Sequence, residues 1–316
     1  MATAFIFPGQ GSQAVGMGKG LAEAFPAARA VFDEVDAALS QKLSALMWDG
    51  PGEELTLTAN AQPALMAVSL AVIRVLEAEA GLSLARDAAF VAGHSLGEYS
   101  ALAAAGTFSI SDAARLLRIR GDAMQKAVPA GEGAMAALLG VELEQARAIA
   151  ADAAQGQVCE VANDNGGGQV VLSGARAAIE RAIALAGERG VRRAMLLPVS
   201  APFHCALMQP AAEAMQAALA EVAMSAPVVP VMANVGAAPL ADPAAIRASL
   251  VAQVTGTVRW RECVEAMAGA GVTRFFEVGS GKVLAGLVKR IAAGTAASSI
   301  GAPDDITSYK AQKDSL

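Results

Sequence analysis

The stretch Ala88-Ala89-Phe90-Val91-Ala92-Gly93-His94-Ser95-Leu96-Gly97 joins a short apolar run to a turn flanked by two glycines. Its second half fits the pattern Gly-x-Ser-x-Gly of a nucleophile elbow, in which a sharp turn holds the serine hydroxyl clear of a sheet at a helix N-terminus. Residues 98–105 predict that helix. Because the turn lies between a predicted strand and a predicted helix, the context favours Ser95 as a nucleophile over a small residue in a tight turn.

Further strands and helices on both sides of this segment predict an α/β fold. Residues 4–7 predict a buried strand that leads into a glycine-containing loop, and Ser109 is expected to cap a helix that runs to residue 128. Other helix and strand patterns cover residues 21–39, 63–80, 210–222, 228–233, 274–278 and 283–291. Residues 295–316 are expected to form a mobile tail.

A different element order separates the middle of the chain from the rest. The patterns there predict strand 134–139, helix 142–154, strand 158–162, strand 169–173, helix 175–189 and strand 193–198. This βαββαβ order is typical of a ferredoxin-like unit. We therefore expect a small domain at 129–199, inserted into a large domain made of residues 1–128 and 200–316.

Composition limits the classes of function. With 316 residues, 54% of them hydrophobic, the chain can bury a large core, and a net charge of −6 disfavours nucleic-acid binding. No membrane segment and no signal peptide are predicted, so a cytoplasmic location is expected. Three widely spaced cysteines, Cys159, Cys205 and Cys263, lack the spacing of a zinc site and are expected to be reduced thiols.

The chain contains only two histidines, His94 and His204. Since the side chains of sequential residues diverge, His204 is the better base for Ser95, and His94 is expected to support the site by packing or hydrogen bonding. No carboxylate is marked out as a partner for His204, which predicts a dyad whose imidazole is held by a carbonyl or amide oxygen. Gln253 is a candidate for that role. Cys205 follows His204 directly, but a Cys-His pair between adjacent residues is disfavoured.

Four segments resemble the malonyl-CoA:acyl carrier protein transacylase family, in its order and approximate spacing. They are Phe7-Pro8-Gly9-Gln10-Gly11-Ser12-Gln13, Gly93-His94-Ser95-Leu96-Gly97-Glu98, Arg120 in the following helix, and Pro202-Phe203-His204. The resemblance implies an α/β-hydrolase-like large domain with a ferredoxin-like insert, and an active site between them.

The resemblance also implies a mechanism. Ser95 would attack the thioester of malonyl-CoA, His204 would take its proton, and the malonyl-serine ester would pass its acyl group to the phosphopantetheine thiol of acyl carrier protein. The backbone N–H groups of Gln10 and Leu96 would form the oxyanion hole, and Gln253 would orient the histidine. No metal or redox cofactor is expected, because the thioester is already activated.

Three further residues acquire roles from the same resemblance. Arg120 would bind the free carboxylate of malonate with a planar two-pronged donor, although most helical arginines are merely solvated. Phe203 would exclude substituents on the acyl α-carbon, unless it only packs in the core. Asn163 would contact the pantetheine arm. His94 is counted with these as a substrate-binding residue.

Several alternatives stay open at this point. A serine hydrolase or thioesterase would use the same nucleophile with water as acceptor, and a non-catalytic acyl-CoA or carrier-protein binding module would not need Ser95. The same motifs would serve a malonyl loading transferase of a polyketide synthase or the malonyl transferase of a malonate decarboxylase. A monomer is expected, with the acidic carrier docking on a basic patch at Lys289-Arg290 or Arg192-Arg193.

Overall fold

The computed structural model describes residues 2–314 and has an α/β fold with two sheets. The strands are β1 Ala2–Phe7, β2 Phe90–Gly93, β3 Gly133–Leu139, β4 Cys159–Asp164, β5 Gln169–Ala175, β6 Arg193–Leu196, β7 Val231–Ala233, β8 Ala238–Leu240, β9 Val272–Val278 and β10 Ala296–Ile300. The helices are α1 Lys19–Ala24, α2 Pro26–Leu39, α3 Leu43–Asp49, α4 Gly52–Thr56, α5 Thr58–Ala80, α6 Leu84–Asp87, α7 Gly97–Ala104, α8 Ile110–Lys126, α9 Leu143–Ala154, α10 Arg176–Glu188, α11 Gln209–Ala220, α12 Pro243–Thr255, α13 Trp260–Gly269, α14 Val283–Ile291 and α15 Pro303–Asp314. A 3₁₀ turn, Ala206–Met208, precedes α11.

The larger sheet has six strands in the order β10-β9-β1-β2-β7-β8. All neighbouring pairs are parallel except β7 with β8. Strand β1 lies inside it and is apolar on both faces, as a strand covered by helices must be. Phe5 and Phe7 pack into the core cluster that contains α5 and α8, whereas Ala4 and Ile6 pack into the one that contains α13 and α14. The sheet is therefore sandwiched between two helical layers.

The smaller sheet has four antiparallel strands in the order β4-β5-β3-β6. Its elements follow along the chain as β3, α9, β4, β5, α10, β6, the βαββαβ order predicted from the sequence. Helices α9 and α10 cover one face and share a separate apolar core with the strands. The other face, which includes Met135 and Val171, packs against the large core.

Helix α5 is the longest in the described part of the chain and is buried around most of its circumference. It is long and apolar enough to cross a membrane by length and composition, but 89% of its most apolar window is buried inside the protein. Such burial is that of a central core helix.

Two expectations about elements were wrong. The periodic stretch 21–39 is interrupted at Phe25, which is extended, because Pro26 starts a new helix and disfavours helical geometry in the residue before it. The expected tail at 295–316 instead contains β10, which pairs in parallel with β9, and α15. Tyr309 of α15 packs edge-on against Phe276 with ring centroids 5.1 Å apart. Residues 315 and 316 lie outside the described part.

Candidate active site

Ser95 occupies the turn between β2 and α7, at the carboxyl end of the parallel strands. Its φ of 52° is left-handed, a conformation that non-glycine residues adopt mainly in strained turns. The flanking glycines are required by space: a Cβ on Gly93 would lie 1.9 Å from the carbonyl carbon of Gly97, and one on Gly97 would lie 2.3 Å from the oxygen of Phe7. The turn is therefore a nucleophile elbow pressed against the end of β1.

His204 and Ser95, 109 residues apart in sequence, meet in the structure. The Oγ of Ser95 lies 2.7 Å from Nε2 of His204, and Nδ1 of His204 lies 2.9 Å from the main-chain oxygen of Gln253. A carbonyl oxygen only accepts, so Nδ1 carries the proton and Nε2 is free to accept one from the serine. The structure thus gives the imidazole the tautomer that a general base needs.

The predicted orienter, Gln253, acts on His204 through its main-chain carbonyl and not through its side-chain amide. Its side chain lies beneath the serine instead, where Nε2 donates to the main-chain oxygen of Ser95 at 3.0 Å and Oε1 accepts from Arg120 at 2.9 Å. Because any residue has a main-chain carbonyl, sequence alone gives no signal for this part of the arrangement.

The environment of His204 favours the neutral imidazole. Burial, followed by the positive charge of Arg120, lowers the pKa of His204 to about 3, against the hydrogen bond to Gln253. His204 is 4% exposed. The imidazole is consequently unprotonated, and able to accept a proton, throughout the neutral range.

Arg120 is a fully buried guanidinium, 1% exposed, that reaches the nucleophile from α8. Its Nη2 donates to Oγ of Ser95 at 3.0 Å and its Nη1 donates to Oε1 of Gln62 at 2.8 Å. No carboxylate among residues 2–314 forms an ion pair with it. Its neighbours on the same helix, Arg115 and Arg118, contact residues elsewhere. The arrangement leaves a buried positive charge beside a serine hydroxyl.

A cavity of about 410 Å³ opens above these residues, between the two sheets. Its wall contains eight of the nine residues predicted for the site, namely Gln10, His94, Ser95, Leu96, Arg120, Asn163, Phe203 and His204. The ninth, Gln253, is fully buried behind them. The smaller sheet and the segment after it contribute Met135, Leu197, Pro198 and Val199 to the opposite wall. The cavity is accordingly part apolar, with a cluster of polar groups at one end.

The predicted oxyanion donors line this cavity. Within residues 2–314 neither the N–H of Gln10 nor that of Leu96 donates to a protein acceptor, whereas the N–H of Ser95 donates to Oδ1 of Asn234 at 2.7 Å. Two unpaired N–H groups beside a nucleophile can bind an oxygen that becomes negatively charged. Leu96 lies directly before α7, so its N–H also belongs to the positive end of that helix.

His94 lies on the other side of the elbow from His204. Its Nε2 lies 2.9 Å from Oδ1 of Asn165, and its ring packs against Trp260 with centroids 5.7 Å apart. Burial lowers the pKa of His94, and the bond to Asn165 acts in the opposite direction. Asn163, two residues before Asn165 in the chain, lies in β4 and is 7% exposed.

Sequence reasoning missed three residues that hold the site together: Gln62, Glu98 and Asn234. Asn234 follows β7 directly and bonds the elbow at two points. Its Oδ1 accepts from the N–H of Ser95, and its Nδ2 donates to the main-chain oxygen of Gly93 at 2.7 Å. A polar residue at the carboxyl end of a short apolar strand is a sequence feature from which Asn234 could have been identified. Gln62 lies in a helix with no distinguishing spacing, and Glu98 ends the segment Gly93–Glu98 that carries the resemblance, but no role was assigned to it there.

The cysteines take no part in this geometry. All three are free and buried, and Sγ of Cys205 donates to the main-chain oxygen of Pro202 at 3.1 Å. Burial raises the pKa of the Cys205 thiol to about 11, which is unsuited to a nucleophile. Residues 2–314 contain no group of three His, Cys, Asp or Glu side chains placed to hold a metal ion.

A serine held in an elbow, an imidazole in the base tautomer and two free N–H groups define a serine acyl-transfer site. The model of the acyl transferase domain family matches residues 4–301. A malonyl CoA-acyl carrier protein transacylase of Bacillus subtilis strain 168 is 48% identical over 289 residues, which cover 91% of this chain and 90% of that protein. The chain belongs to the family of malonyl CoA-acyl carrier protein transacylases.

Two solved structures show the same likeness in three dimensions. An acyl-carrier-protein-S-malonyltransferase from Bartonella henselae superimposes with a TM-score of 0.97 and 57% identity, over 99% of this chain and 100% of that chain. A malonyl-transacylase in complex with its type II PKS acyl-carrier protein superimposes with a TM-score of 0.95 and 41% identity, over 99% and 100% of the two chains.

Proposed function

We propose that this protein transfers a malonyl group from coenzyme A to the phosphopantetheine thiol of acyl carrier protein, for fatty-acid synthesis, through a malonyl-serine intermediate. The observation that carries the proposal is Arg120. A buried guanidinium whose Nη2 lies 3.0 Å from Oγ of Ser95 provides a binding group for a carboxylate next to the nucleophile. An ordinary ester or an acetyl substrate has no free carboxylate that could pair with that charge.

In the first half-reaction, Oγ of Ser95 attacks the thioester carbon of malonyl-CoA while Nε2 of His204 takes the hydroxyl proton. The C–S bond breaks, and His204 returns the proton to the leaving thiolate. The N–H groups of Gln10 and Leu96 stabilise the oxyanion, an interaction worth about 2.7–4 kcal/mol for one donor. Gln253 keeps the proton of the imidazole on Nδ1 throughout.

The second half-reaction runs these steps in reverse with a different thiol. His204 takes the proton of the phosphopantetheine thiol, the thiolate attacks the malonyl-serine ester, and the proton returns to Oγ of Ser95. Since one thioester replaces another, neither a metal nor a redox cofactor is needed. The apolar wall formed by Met135, Leu197 and Val199 supports exclusion of water, which would otherwise hydrolyse the ester.

Three residues on the cavity wall are proposed to select and hold the substrate. Phe203, 8% exposed, limits the room at the acyl α-carbon. Asn163 faces the cavity from β4 and is suited to contact the pantetheine arm. His94 contributes a ring edge fixed by Asn165. Each role is a steric or hydrogen-bonding one, so substitution there would change KM more than the chemical step.

At the level of architecture we propose an α/β-hydrolase-like large domain, residues 1–128 and 200–316, with a ferredoxin-like small domain at 129–199. The strand order β4-β5-β3-β6 and the βαββαβ sequence of elements support the second assignment. The elbow after β2 in a mainly parallel sheet supports the first. The cavity between the domains would then be the active site.

For the carrier protein we propose a docking surface formed by Arg192-Arg193 and Lys289-Arg290. All four side chains are exposed. A Cβ added to Gly140 would lie 3.0 Å from Cβ of Arg192, and one added to Gly167 would lie 3.2 Å from Cβ of Arg290. Because the N–H of Gly140 donates to the oxygen of Gly168 at 2.7 Å, the two basic pairs lie on neighbouring turns. Reversal of these charges would weaken binding of an acidic carrier and reduce its salt dependence.

We further propose a cytoplasmic monomer that binds neither nucleic acid nor membrane. The net charge of −6 supports the absence of a nucleic-acid partner. The burial of α5 inside the protein supports a core role for this helix, which is the one of membrane-spanning length within residues 2–314. Light scattering of the purified protein tests the oligomeric state; a dimer at micromolar concentration would contradict this part.

The mass of the intact protein after incubation with malonyl-CoA, acetyl-CoA or methylmalonyl-CoA tests the activity. We expect the wild type to gain one malonyl group, Ser95→Ala to gain none, and Arg120→Ala to lose its preference for malonyl over acetyl. Arg118→Ala, on the same helix but outside the cavity wall, is the matched control and should keep the preference. Release of coenzyme A without an adduct would instead indicate a hydrolase.

A further inference from the structure

Glu98 is a buried acid beside the active site to which the transfer mechanism assigns no role. It lies in the first turn of α7, three residues after Ser95, and is 1% exposed. Its Oε2 accepts hydrogen bonds from the main-chain N–H of Asn234 at 3.0 Å and from Nε2 of Gln253 at 2.8 Å. Burial of a carboxylate is costly unless it is compensated, so a group held in this position requires an explanation.

The side-chain amide of Gln253 lies between two groups of opposite charge. A carboxylate only accepts hydrogen bonds and a guanidinium only donates them. In the structure the amide presents its NH₂ to Glu98 and its oxygen to Nη2 of Arg120, the latter at 2.9 Å. Rotation of the amide by 180° would place oxygen against the carboxylate and NH₂ against the guanidinium. The two charges therefore select one orientation of the amide.

This orientation has a consequence for Arg120. Amide oxygens of Gln62 and Gln253, together with Oγ of Ser95, hold its guanidinium, and none of them carries a negative charge. A direct ion pair with Glu98 would occupy the donors that a substrate carboxylate needs. The interposed amide occupies one N–H of Nη2, but it carries no negative charge, so the charge of Arg120 is not neutralised by direct contact, and within residues 2–314 the N–H of Nε has no hydrogen-bond partner.

We propose that Glu98 is a positioning residue for malonyl recognition: through the amide of Gln253 it orients Arg120 toward the substrate carboxylate without forming an ion pair with it. The proposal rests on the proposed function, since it assigns Glu98 a part in that same transfer. Glu98 does not line the cavity, so it acts through the residues it bonds, namely the amide of Gln253, which bonds Arg120, and the main-chain N–H of Asn234. An effect through Asn234 would change the reaction of both acyl substrates, whereas an effect through Arg120 would change that of malonyl-CoA.

Opposing effects act on the pKa of the Glu98 carboxyl group. Burial raises the pKa of Glu98 to about 7, while the hydrogen bonds from Asn234 and Gln253 and the charge of Arg120 lower it. The nearby titratable groups are Tyr99 and Cys263, and burial raises the pKa of both, which keeps them uncharged. Measurements are therefore best made at about pH 8, where the acceptor-only carboxylate predominates.

The test measures kcat/KM for acyl-serine formation with malonyl-CoA and with acetyl-CoA, and uses their ratio as the readout. In Glu98→Gln, which keeps the shape and removes the charge, we expect the malonyl-to-acetyl ratio to fall about tenfold, mainly through a higher KM for malonyl-CoA. In Gln253→Met, which keeps the main-chain carbonyl that holds His204, Glu98→Gln should cause no further fall. The buried acid Asp36, which bonds Ser44 in another part of the molecule, supplies the matched control Asp36→Asn.

The outcomes distinguish failure of the role proposed for Glu98 from failure of the proposed malonyl transfer. An unchanged ratio in a folded Glu98→Gln variant overturns the proposal, as does an equal loss for both substrates or an additive loss in the double variant. If Glu98→Gln does not fold, Glu98→Asp decides, because it keeps the charge and should keep at least part of the preference that Gln253→Met loses. Absence of malonyl-serine in the wild type would defeat the proposed function itself, not this inference alone.

Discussion

The two histidines of this protein both lie near Ser95, but their ring nitrogens have different hydrogen-bond partners. His94 precedes Ser95 in the chain, yet its Nε2 contacts Oδ1 of Asn165. His204 is distant in sequence, yet its Nε2 contacts Oγ of Ser95 and its Nδ1 is held by the carbonyl of Gln253. The elbow therefore turns the side chain before Ser95 away from the nucleophile and leaves the space for a base from another segment.

Removal of the base should produce the largest difference between the two histidines. We expect His204→Ala to slow formation of the malonyl-serine ester by about 10⁴-fold, the upper end for a general base. His94→Ala should leave most of the chemical rate and change mainly KM. Rapid-quench measurement of acyl-serine formation separates the two. Equal losses in both variants would contradict the assignment of His204 alone as the general base.

The charge of Arg120 should affect the pH dependence of the reaction through His204 and not through His94. Its charge is the second cause, after burial, of the lowered pKa of His204, and it is not among the causes for His94. Because kcat/KM reports the free enzyme, the acid limb of its pH profile should lie well below the ordinary histidine pKa of about 6.5. Arg120→Met should move that limb to higher pH and cost about 10- to 100-fold in kcat/KM for malonyl-CoA.

Arg118→Met supplies the control for this shift, because Arg118 lies on the same helix and bonds Gln41 and Asn60. A wild-type limb near pH 6.5 would contradict the burial effect on His204. A limb that does not move in Arg120→Met would show that its charge does not act on the imidazole.

Folding stability should respond to both histidines in the same direction. The folded-state pKa of each is lowered, so the unfolded chain binds more protons at acid pH. The resulting stability is fully present above the unfolded value of about 6.5 and is lost as pH falls below it. Urea unfolding between about pH 5 and 8 checks this sign; His204→Gln should have a shallower dependence.

The bond between Asn165 and His94 should have the smallest effect. Asn165→Ala leaves Nε2 of His94 without its partner and should lower the free energy of unfolding by about 1–3 kcal/mol. His94→Phe combined with Asn165→Ala removes both polar partners and should recover part of that loss. Urea unfolding measures both. A double variant that is less stable than the single one would count against a simple pairing.

The sequence predicted the elements that carry a repeating or motif signal. The elbow, the predicted small-domain strands and the Ser109 cap, which accepts from the N–H of Asp112 at 3.0 Å, follow from local chemistry. The last strand did not follow, because Ala296-Ala297-Ser298-Ser299-Ile300 is neither strongly apolar nor alternating. Its pairing with β9 is a tertiary interaction that supplies what propensity lacks.

The residues of the active site also fall into those that could be identified from the sequence and those that could not. Ser95 and His204 could be selected because their residue types and positions carry chemistry, whereas Arg120 was selected through the resemblance to the transacylase family. Glu98 and Asn234 could not, since their importance arises from contacts with residues more than a hundred positions away. Residues that orient a site are specified by three-dimensional proximity, whereas residues that react are specified by functional group.

The left-handed backbone of Ser95 sets a limit on how this enzyme can be improved. A non-glycine residue at that φ of 52° costs about 1–3 kcal/mol, a cost that glycine largely avoids. Ser95→Gly should therefore melt at a higher temperature than the wild type while forming no acyl ester. If Ser95→Gly melts at the higher temperature, selection for thermostability alone favours loss of the nucleophile, and libraries screened by heat must also be screened for turnover.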